Sequence, residues 1–378
     1  MLDTFDLAQL VEPLQSWFKN NARVLPWREN PKAYYVWISE IMLQQTRVEA
    51  VKPYFDRFIK ELPDVKALAE CPEDKLLKLW EGLGYYNRVR NLKIAANQIM
   101  NDYGGVLPSE YEELLKLKGI GHYTAGAIAS IAYGKAVPAV DGNVLRVISR
   151  VSADDSDIMK QSVRNHMEAR LLEVMTDSQS GKSKVIPSVF NQALMELGAT
   201  VCVPNGAPHC EVCPWGELCE ARKQNRIEEI PVKSKAKARR IENRTVLIIK
   251  DGEQLALHKR PNQGLLAGLY ELPNAEGHLS EKEILEYVAA QGYEPIRIQP
   301  LCEAKHIFSH VEWHMKGYVV FISGRDIAGP EKASTGDGLE DWIFIDVEET
   351  KKNYAIPSAF SKYAGYLNLV LGKEAIEK

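Results

Sequence analysis

Leu114-Leu115-Lys116-Leu117-Lys118-Gly119-Ile120-Gly121-His122-Tyr123-Thr124-Ala125-Gly126-Ala127-Ile128 is the stretch that decides the fold. It predicts an apolar helix running to Gly119, a turn through Ile120-Gly121, and a second helix. Glycines at such a turn let the backbone approach a partner closely and take positive φ. The N–H groups opening the second helix then make a small anion site suited to a phosphate. The same letters also fit a plain αα-turn, so the hairpin gains meaning only from its surroundings.

Downstream lies Val137-Pro138-Ala139-Val140-Asp141-Gly142-Asn143-Val144-Leu145-Arg146. Asp141 fits a helix N-cap, where N–H donors and the helix dipole favour the ionised carboxylate. Upstream, Val36-Trp37-Ile38-Ser39-Glu40-Ile41-Met42-Leu43-Gln44-Gln45-Thr46-Arg47-Val48 predicts a helix apolar on most sides, hence buried. Glu40, Gln44 and Arg47 would share one polar stripe on it. A carboxyl in that apolar setting has its pKa raised, as a general acid at neutral pH requires. One carboxyl kept protonated and one kept charged form a familiar chemical pair. Breaking an N-glycosidic bond builds positive charge on the sugar, through an oxocarbenium-like state like that of sugar hydrolysis. Glu40 would protonate the departing base and Asp141 would stabilise the cation.

The 378-residue chain is too long for one ordinary core. From Leu7 to about Arg222 apolar residues return every three or four positions, with breaks at Leu25-Pro26, Leu62-Pro63, Cys71-Pro72, Gly104-Gly105 and Val137-Pro138. That region is read as all-α. Strand-like runs follow at Thr245–Lys250, Leu255–Lys259, Tyr318–Ile322 and Trp342–Ile345, with a helical stretch from Ser280 to Gln291. This predicts an α+β domain after the helical one, with the boundary near residues 224–243. That boundary is basic: Lys233, Lys235, Lys237, Arg239, Arg240 and Arg244 stand beside Glu242, a pattern that fits a solvated linker.

The net charge of −4 gives no overall sign of a nucleic-acid partner, but phosphate affinity depends on local patches. No apolar run approaches the roughly 18 residues needed to span a bilayer, and the acidic N-terminus lacks a secretory pattern. A protein inside the cell, with no membrane partner and monomeric, is expected. Cys202, Cys210, Cys213 and Cys219 crowd together in a C-x7-C-x2-C-x5-C pattern, while Cys71 and Cys302 stand alone as ordinary buried thiols. Four clustered thiolates suit a [4Fe–4S] cluster or zinc, and spacing alone does not choose.

Taken in this order, the hairpin, the Asp after Val-Pro-Ala-Val and the four-cysteine loop resemble the helix-hairpin-helix glycosylases of the endonuclease III superfamily. Leu25-Pro26-Trp27-Arg28, Trp37 to Thr46, and Trp80-Glu81-Gly82-Leu83-Gly84-Tyr85-Tyr86 resemble its MutY branch, the adenine DNA glycosylases. The resemblance implies a helical catalytic domain over 1–223, with a six-helix-type module at about 26–136 and a cluster module from 1–25 plus 137–223. It implies a basic linker at 224–243 and a Nudix-like, 8-oxoguanine-recognising domain at 244–378. It further implies a DNA-associated protein that excises adenine mispaired with 8-oxoguanine or guanine in duplex DNA, with a [4Fe–4S] cluster favoured over zinc. Glu40 matches the acid that protonates adenine at N7, and Asp141 the carboxylate that stabilises the cation. Tyr123 falls where bifunctional relatives carry a Schiff-base lysine, so the abasic strand should stay intact.

By the same resemblance Asn143 helps hold the carboxylates, and Trp27, Arg28, Leu43 and Gln192 line the adenine pocket. Gly119 and Gly121 belong to the DNA-binding hairpin. Gln45 and Tyr85 enter the base stack, and Phe308-Ser309-His310 reads the opposite base. Two departures stand out. Seven residues, not six, separate Cys202 from Cys210, and the loop they form carries no Lys or Arg. The helix in the second domain, with Glu281, Glu283 and Glu286, lacks the Arg-Glu-x-x-Glu-Glu pattern of a Nudix hydrolase.

Overall fold

The computed structural model describes residues 2–177, 185–234, 238–323 and 341–369. Lys235 and Lys237 of the basic stretch lie outside them. The chain forms two compact units, one from residues 1–70 and 90–236, the other from 71–89 and 237–378.

The first unit is helical. One of its cores gathers Leu7, Leu10 and Leu14 from the N-terminus with Val144, Ile148 and Val151, Met167 and Leu171, and Phe190, Leu194 and Leu197. Helix Ala33–Leu43 is buried from Val36 to Met42, on every side, as its apolar sequence demands. It ends sooner than the sequence suggests. Gln45 takes a left-handed φ of 59°, and a new helix, Val48–Glu61, starts after Arg47. Gln44 and Arg47 therefore do not continue a stripe from Glu40: the helical spacing that would align them is lost at the turn.

The hairpin is present. Gly119 has φ 79°, and a Cβ built there would lie 2.7 Å from Asn91 Cβ, so glycine is required twice over. Gly121 is instead in extended conformation, at the N-cap of helix His122–Ala127. That helix widens into a π-helical turn at Ile128–Ala132. Its Gly126 packs directly against the Val137–Ala139 segment, where a Cβ would come 2.2 Å from Pro138 O. Buried Asn191 fixes the same segment, accepting from Ala139 N and donating to Val137 O and to Ser130 Oγ. Asp141 then caps helix Gly142–Val151, accepting from Val144 N at 2.8 Å.

In the second unit, eight strands form one sheet among the described residues. They are β1 (Arg240–Asp251), β2 (Gln254–Lys259), β3 (Tyr270–Glu271), β4 (Asn274–Glu276), β5 (Pro295–Pro300), β6 (Ala304–Ile307), β7 (Val311–Ile322) and β8 (Trp342–Asp346). The main path runs β3-β2-β1-β7-β5, with β1 and β7 parallel. Strand β1 starts at Arg240, inside the stretch read as linker, because residues 240–244 pair with Val311–Met315. Alternation along β1 splits the core. Val246 and Ile248 pack with Ile356, Phe360 and Tyr363, whereas Leu247 and Ile249 pack with Ile284 and Val288 of helix Glu281–Ala290.

Gly126→Ala should force the hairpin helix away from Pro138 and cost about 1–3 kcal/mol of stability, the usual range for overpacking. The check is the denaturant midpoint for unfolding of the helical unit. An unchanged midpoint would mean that the Pro138 segment yields freely.

Candidate active site

A cavity of about 600 Å³ opens in the helical unit, and the turn of the Pro26–Glu29 helix, the end of helix Ala33–Leu43, the hairpin helix and the Asp141 cap all reach it. Every residue expected in the adenine pocket or in catalysis lines it: Trp27, Arg28, Glu40, Leu43, Tyr123, Asp141, Asn143 and Gln192. Exposed Gln45 stands at the same cavity. Buried Trp27 packs edge-on against Phe55 and so forms a rigid wall.

Glu40 is buried, and the Tyr123 hydroxyl donates a hydrogen bond to its Oε2. Burial pushes the Glu40 carboxyl up, to about 7. The charge of Asp141 adds to that rise, while the Tyr123 bond and the Arg28 guanidinium oppose it. Tyr123 rests its hydroxyl against Met195 Sδ at 3.1 Å. Its own acidity is suppressed by burial first, then by the two carboxylates.

Each Asp141 oxygen has a donor: Oδ1 takes Val144 N at 2.8 Å and Oδ2 takes Asn143 Nδ2 at 2.7 Å. The capping bonds favour the ionised carboxylate, as the sequence suggested. Burial outweighs them and raises the pKa. Asn143 Oδ1 accepts from Arg146, which also donates to the carbonyls of Gly198 and Cys202.

Sequence reasoning missed Glu196 and Arg23, both on the cavity. Glu196 is buried and receives Arg23 Nε at 2.6 Å, Arg23 Nη2 at 3.0 Å and Arg28 Nη2 at 2.8 Å. Burial alone would raise its pKa, but these bonds win and bring it to about 2. The pair fixes Arg28 at the pocket wall. A signal was present: a lone acid inside the apolar run Ala193-Leu194-Met195-Glu196-Leu197 needs a buried cation, and two arginines flank Leu25-Pro26-Trp27.

Of the two lone cysteines Cys71 is buried as expected, but Cys302, between β5 and β6, is exposed. The four clustered cysteines line one small pocket with Arg150, Pro208, Gly216 and Ile227. Arg150 donates to Cys202 Sγ at 3.4 Å. Burial raises the Cys210, Cys213 and Cys219 thiols, Cys213 to about 12, and each is raised further by Cys202. Such thiols would give up their protons to a metal centre. Among the described residues, no three His, Cys, Asp or Glu side chains are grouped as ligands of a single ion. The longer loop bends outward: Pro204–Ala207 are exposed, Gly206 turns with φ 73°, and His209 N closes the loop on Val201 O.

In the second unit, Phe308-Ser309-His310 forms the turn between β6 and β7. Phe308 anchors it, stacking edge-on with Trp313 and His306, while Ser309 and His310 are exposed with Oγ and Nδ1 3.3 Å apart. Arg239 Nε donates to the Phe308 carbonyl, and the backbone N–H of Arg240 to that of His310. Tyr85 is half exposed with φ 48°. No helix among the described residues is long and apolar enough to cross a membrane.

Comparison with known proteins agrees with this geometry. Residues 38–172 match the HhH-GPD superfamily of base excision DNA repair proteins, and residues 244–365 match the NUDIX domain. The adenine DNA glycosylase of Mus musculus is 33% identical, over 95% of this chain and 78% of its own length. That of Homo sapiens is 33% identical over 82% of this chain and 67% of its own length. That of Buchnera aphidicola subsp. Baizongia pistaciae is 32% identical over 82% and 86%. The chain belongs to the adenine DNA glycosylase family, and is a DNA repair enzyme that removes adenine by hydrolysis of an N-glycosyl bond.

Proposed function

We propose that the protein excises adenine lying opposite 8-oxoguanine or guanine in duplex DNA, without cutting the strand. The observation that carries this reading is the Tyr123–Glu40 hydrogen bond in a cavity shared with Asp141. It supports three roles. With Oε2 held by Tyr123, Glu40 can present a proton through Oε1, and a pKa of about 7 keeps that proton on near neutrality. As the C1′–N9 bond breaks, its electron pair leaves with the base, and Glu40 protonates N7. Asp141, held at both oxygens, faces the cation forming at the sugar, and water completes the hydrolysis at C1′. A phenol at position 123 forms no Schiff base, which separates this reading from that of a strand-cleaving lyase.

DNA would reach the cavity by base flipping, with the hairpin on a phosphate and Gln45 and Tyr85 filling the stack. Helix His122–Ala127 has no side-chain cap, so its first N–H groups suit that phosphate. The exposed Ser309 and His310 offer donors and acceptors for telling 8-oxoguanine from guanine. The Nudix-like domain would recognise rather than hydrolyse. Glu283 is spent in a capping box with Ser280, and Glu286 pairs with Lys282.

Cys202, Cys210, Cys213 and Cys219 would hold a [4Fe–4S] cluster. Four thiolates around one pocket suit either a [4Fe–4S] cluster or a zinc ion, and membership of the adenine DNA glycosylase family favours the cluster. When bound, such a cluster supplies cross-linking and redox capacity to the loop. The fold's own Arg150 and Arg146 tie that loop to helix Gly142–Val151.

On a duplex with adenine opposite 8-oxoguanine, strand breaks should appear only after hot alkali, and Glu40→Gln should lower the single-turnover rate by about 10²-fold or more while binding the duplex normally. Breaks without alkali would favour a lyase, and a near-normal Glu40→Gln rate would remove Glu40 from the chemistry. Because the proton-bearing form of Glu40 is the active one, the rate at subsaturating enzyme should fall as pH rises through about 7. A rate that rises across that range would contradict the assignment. Ser309→Ala combined with His310→Ala should lower the preference for 8-oxoguanine over guanine by about 10-fold, the worth of one or two lost hydrogen bonds. An unchanged preference would mean that the hairpin reads something else.

A further inference from the structure

The turn that carries Tyr85 is not built as a free loop. Trp80 Nε1 and Arg88 Nη2 both donate to the Gly84 carbonyl, at 3.1 Å each, and Arg88 also donates to Leu83 O at 3.0 Å. The Arg88 guanidinium lies over both the Trp80 ring and the Tyr85 ring, 5.3 and 5.6 Å from their centroids. Gly82, Gly84 and Tyr85 all have positive φ, so the turn is tightly wound and its shape is set from within.

What the turn is fastened to is the sheet. Residues 71–89 cluster with residues 237–378 as one compact unit. Glu81 is buried, and its Oε1 accepts the backbone N–H of Ile356 at 2.8 Å. Its Oε2 pairs with Lys78 Nζ at 2.7 Å, and Lys78 in turn donates to Tyr354 O at 2.9 Å. On the other side of this segment, Tyr270 N of β3 donates to Ala355 O, and the Tyr270 and Tyr354 rings meet edge-on at 4.7 Å. Ile356 itself is in the core that contains Trp313, the anchor of Phe308. A continuous chain of packed and hydrogen-bonded groups thus runs from Tyr85 to the Phe308-Ser309-His310 hairpin.

We infer that Glu81 is a positioning residue: it locks the Tyr85 turn onto the sheet that carries Ser309 and His310, so that wedge and reader engage the base opposite the adenine as one rigid element. A buried carboxylate bonded to a backbone N–H and a lysine is costly to disturb, which is what a lock requires. The inference rests on the opposite-base reading of Tyr85 and of the hairpin given above.

The test compares single-turnover excision of adenine opposite 8-oxoguanine and opposite guanine in Glu81→Ala, Tyr85→Ser and the double variant. Should Glu81→Ala fail to fold, Lys78→Met, which removes the ion pair to Glu81 and the bond to Tyr354 O, serves in its place with the same expected loss. Glu81→Ala should lower the 8-oxoguanine preference about 3- to 10-fold, and the double variant should be no worse than Tyr85→Ser, as expected for coupled positions. The pH dependence of excision should not move, because Glu40 is untouched. Equal loss on both substrates, or additive losses, would reduce Glu81 to a residue that merely stabilises the fold and would overturn the inference. A preference unmoved by Tyr85→Ser and by the Ser309→Ala, His310→Ala pair would overturn the opposite-base reading itself, and the inference with it.

Discussion

An acid that keeps its proton near pH 7 has to be placed where water cannot solvate its charge, and the helix Ala33–Leu43 does this for Glu40. It is buried from Val36 to Met42, so Glu40 emerges from an apolar cylinder rather than from a surface. Burial of a carboxyl usually needs compensation, and Tyr123 supplies one neutral donor. A neutral donor is the suitable choice. A lysine or arginine at that place would favour the carboxylate and pull the pKa down, undoing the purpose of burial. The nearest cation at the cavity, Arg28, is itself held by Glu196, whose two oxygens also take Arg23. The guanidinium therefore has a carboxylate of its own and is fixed at the wall.

Once Glu40 is fixed, the rest of the helical unit follows as support for its partners. Tyr123 arrives on the hairpin helix, whose position depends on the close approach of Gly126 to Pro138. That contact sets where the Val137–Ala139 segment runs and so where Asp141 ends up. Asn191, in the core of helix Pro187–Thr200, holds the segment from the other side. Beyond Asp141, Asn143 and Arg146 carry hydrogen bonds on to the Cys202 carbonyl. The carboxylate proposed to face the sugar and the loop with the cysteines thus share one hydrogen-bonded path, which gives the loop a structural part in holding the site.

Much of this was legible in the residues. An all-α region and an α+β domain follow from a change of period near the basic stretch, and the hairpin follows from Gly119 and Gly121. The buried character of Glu40 follows from its neighbours alone. What escaped reading had physical causes. The turn at Gln45 rests on a positive φ in a non-glycine residue, which no local pattern announces. The start of β1 at Arg240 depends on a partner strand some seventy residues away. The rise in the Asp141 pKa was not foreseen because its burial is tertiary: the helix end it caps faces a cavity instead of water. Glu196 and Arg23 are 173 residues apart in sequence, and only the fold shows that the buried acid has found its cations.

The second unit reaches its role by a different route. Its sheet has a helix on one face and the C-terminal segment on the other, an arrangement that leaves the β6–β7 turn as a rigid projection. Phe308 is the hinge pin, because a half-buried ring wedged between His306 and Trp313 fixes the two exposed residues that follow it. The end of the basic stretch is drawn into the same corner, with Arg239 Nε bonded to the Phe308 carbonyl and the Arg240 backbone N–H to that of His310. This answers how a chain of net charge −4 can present itself to a polyanion. The Arg239 guanidinium is set beside the groups proposed to read a base, where its charge would act at short range.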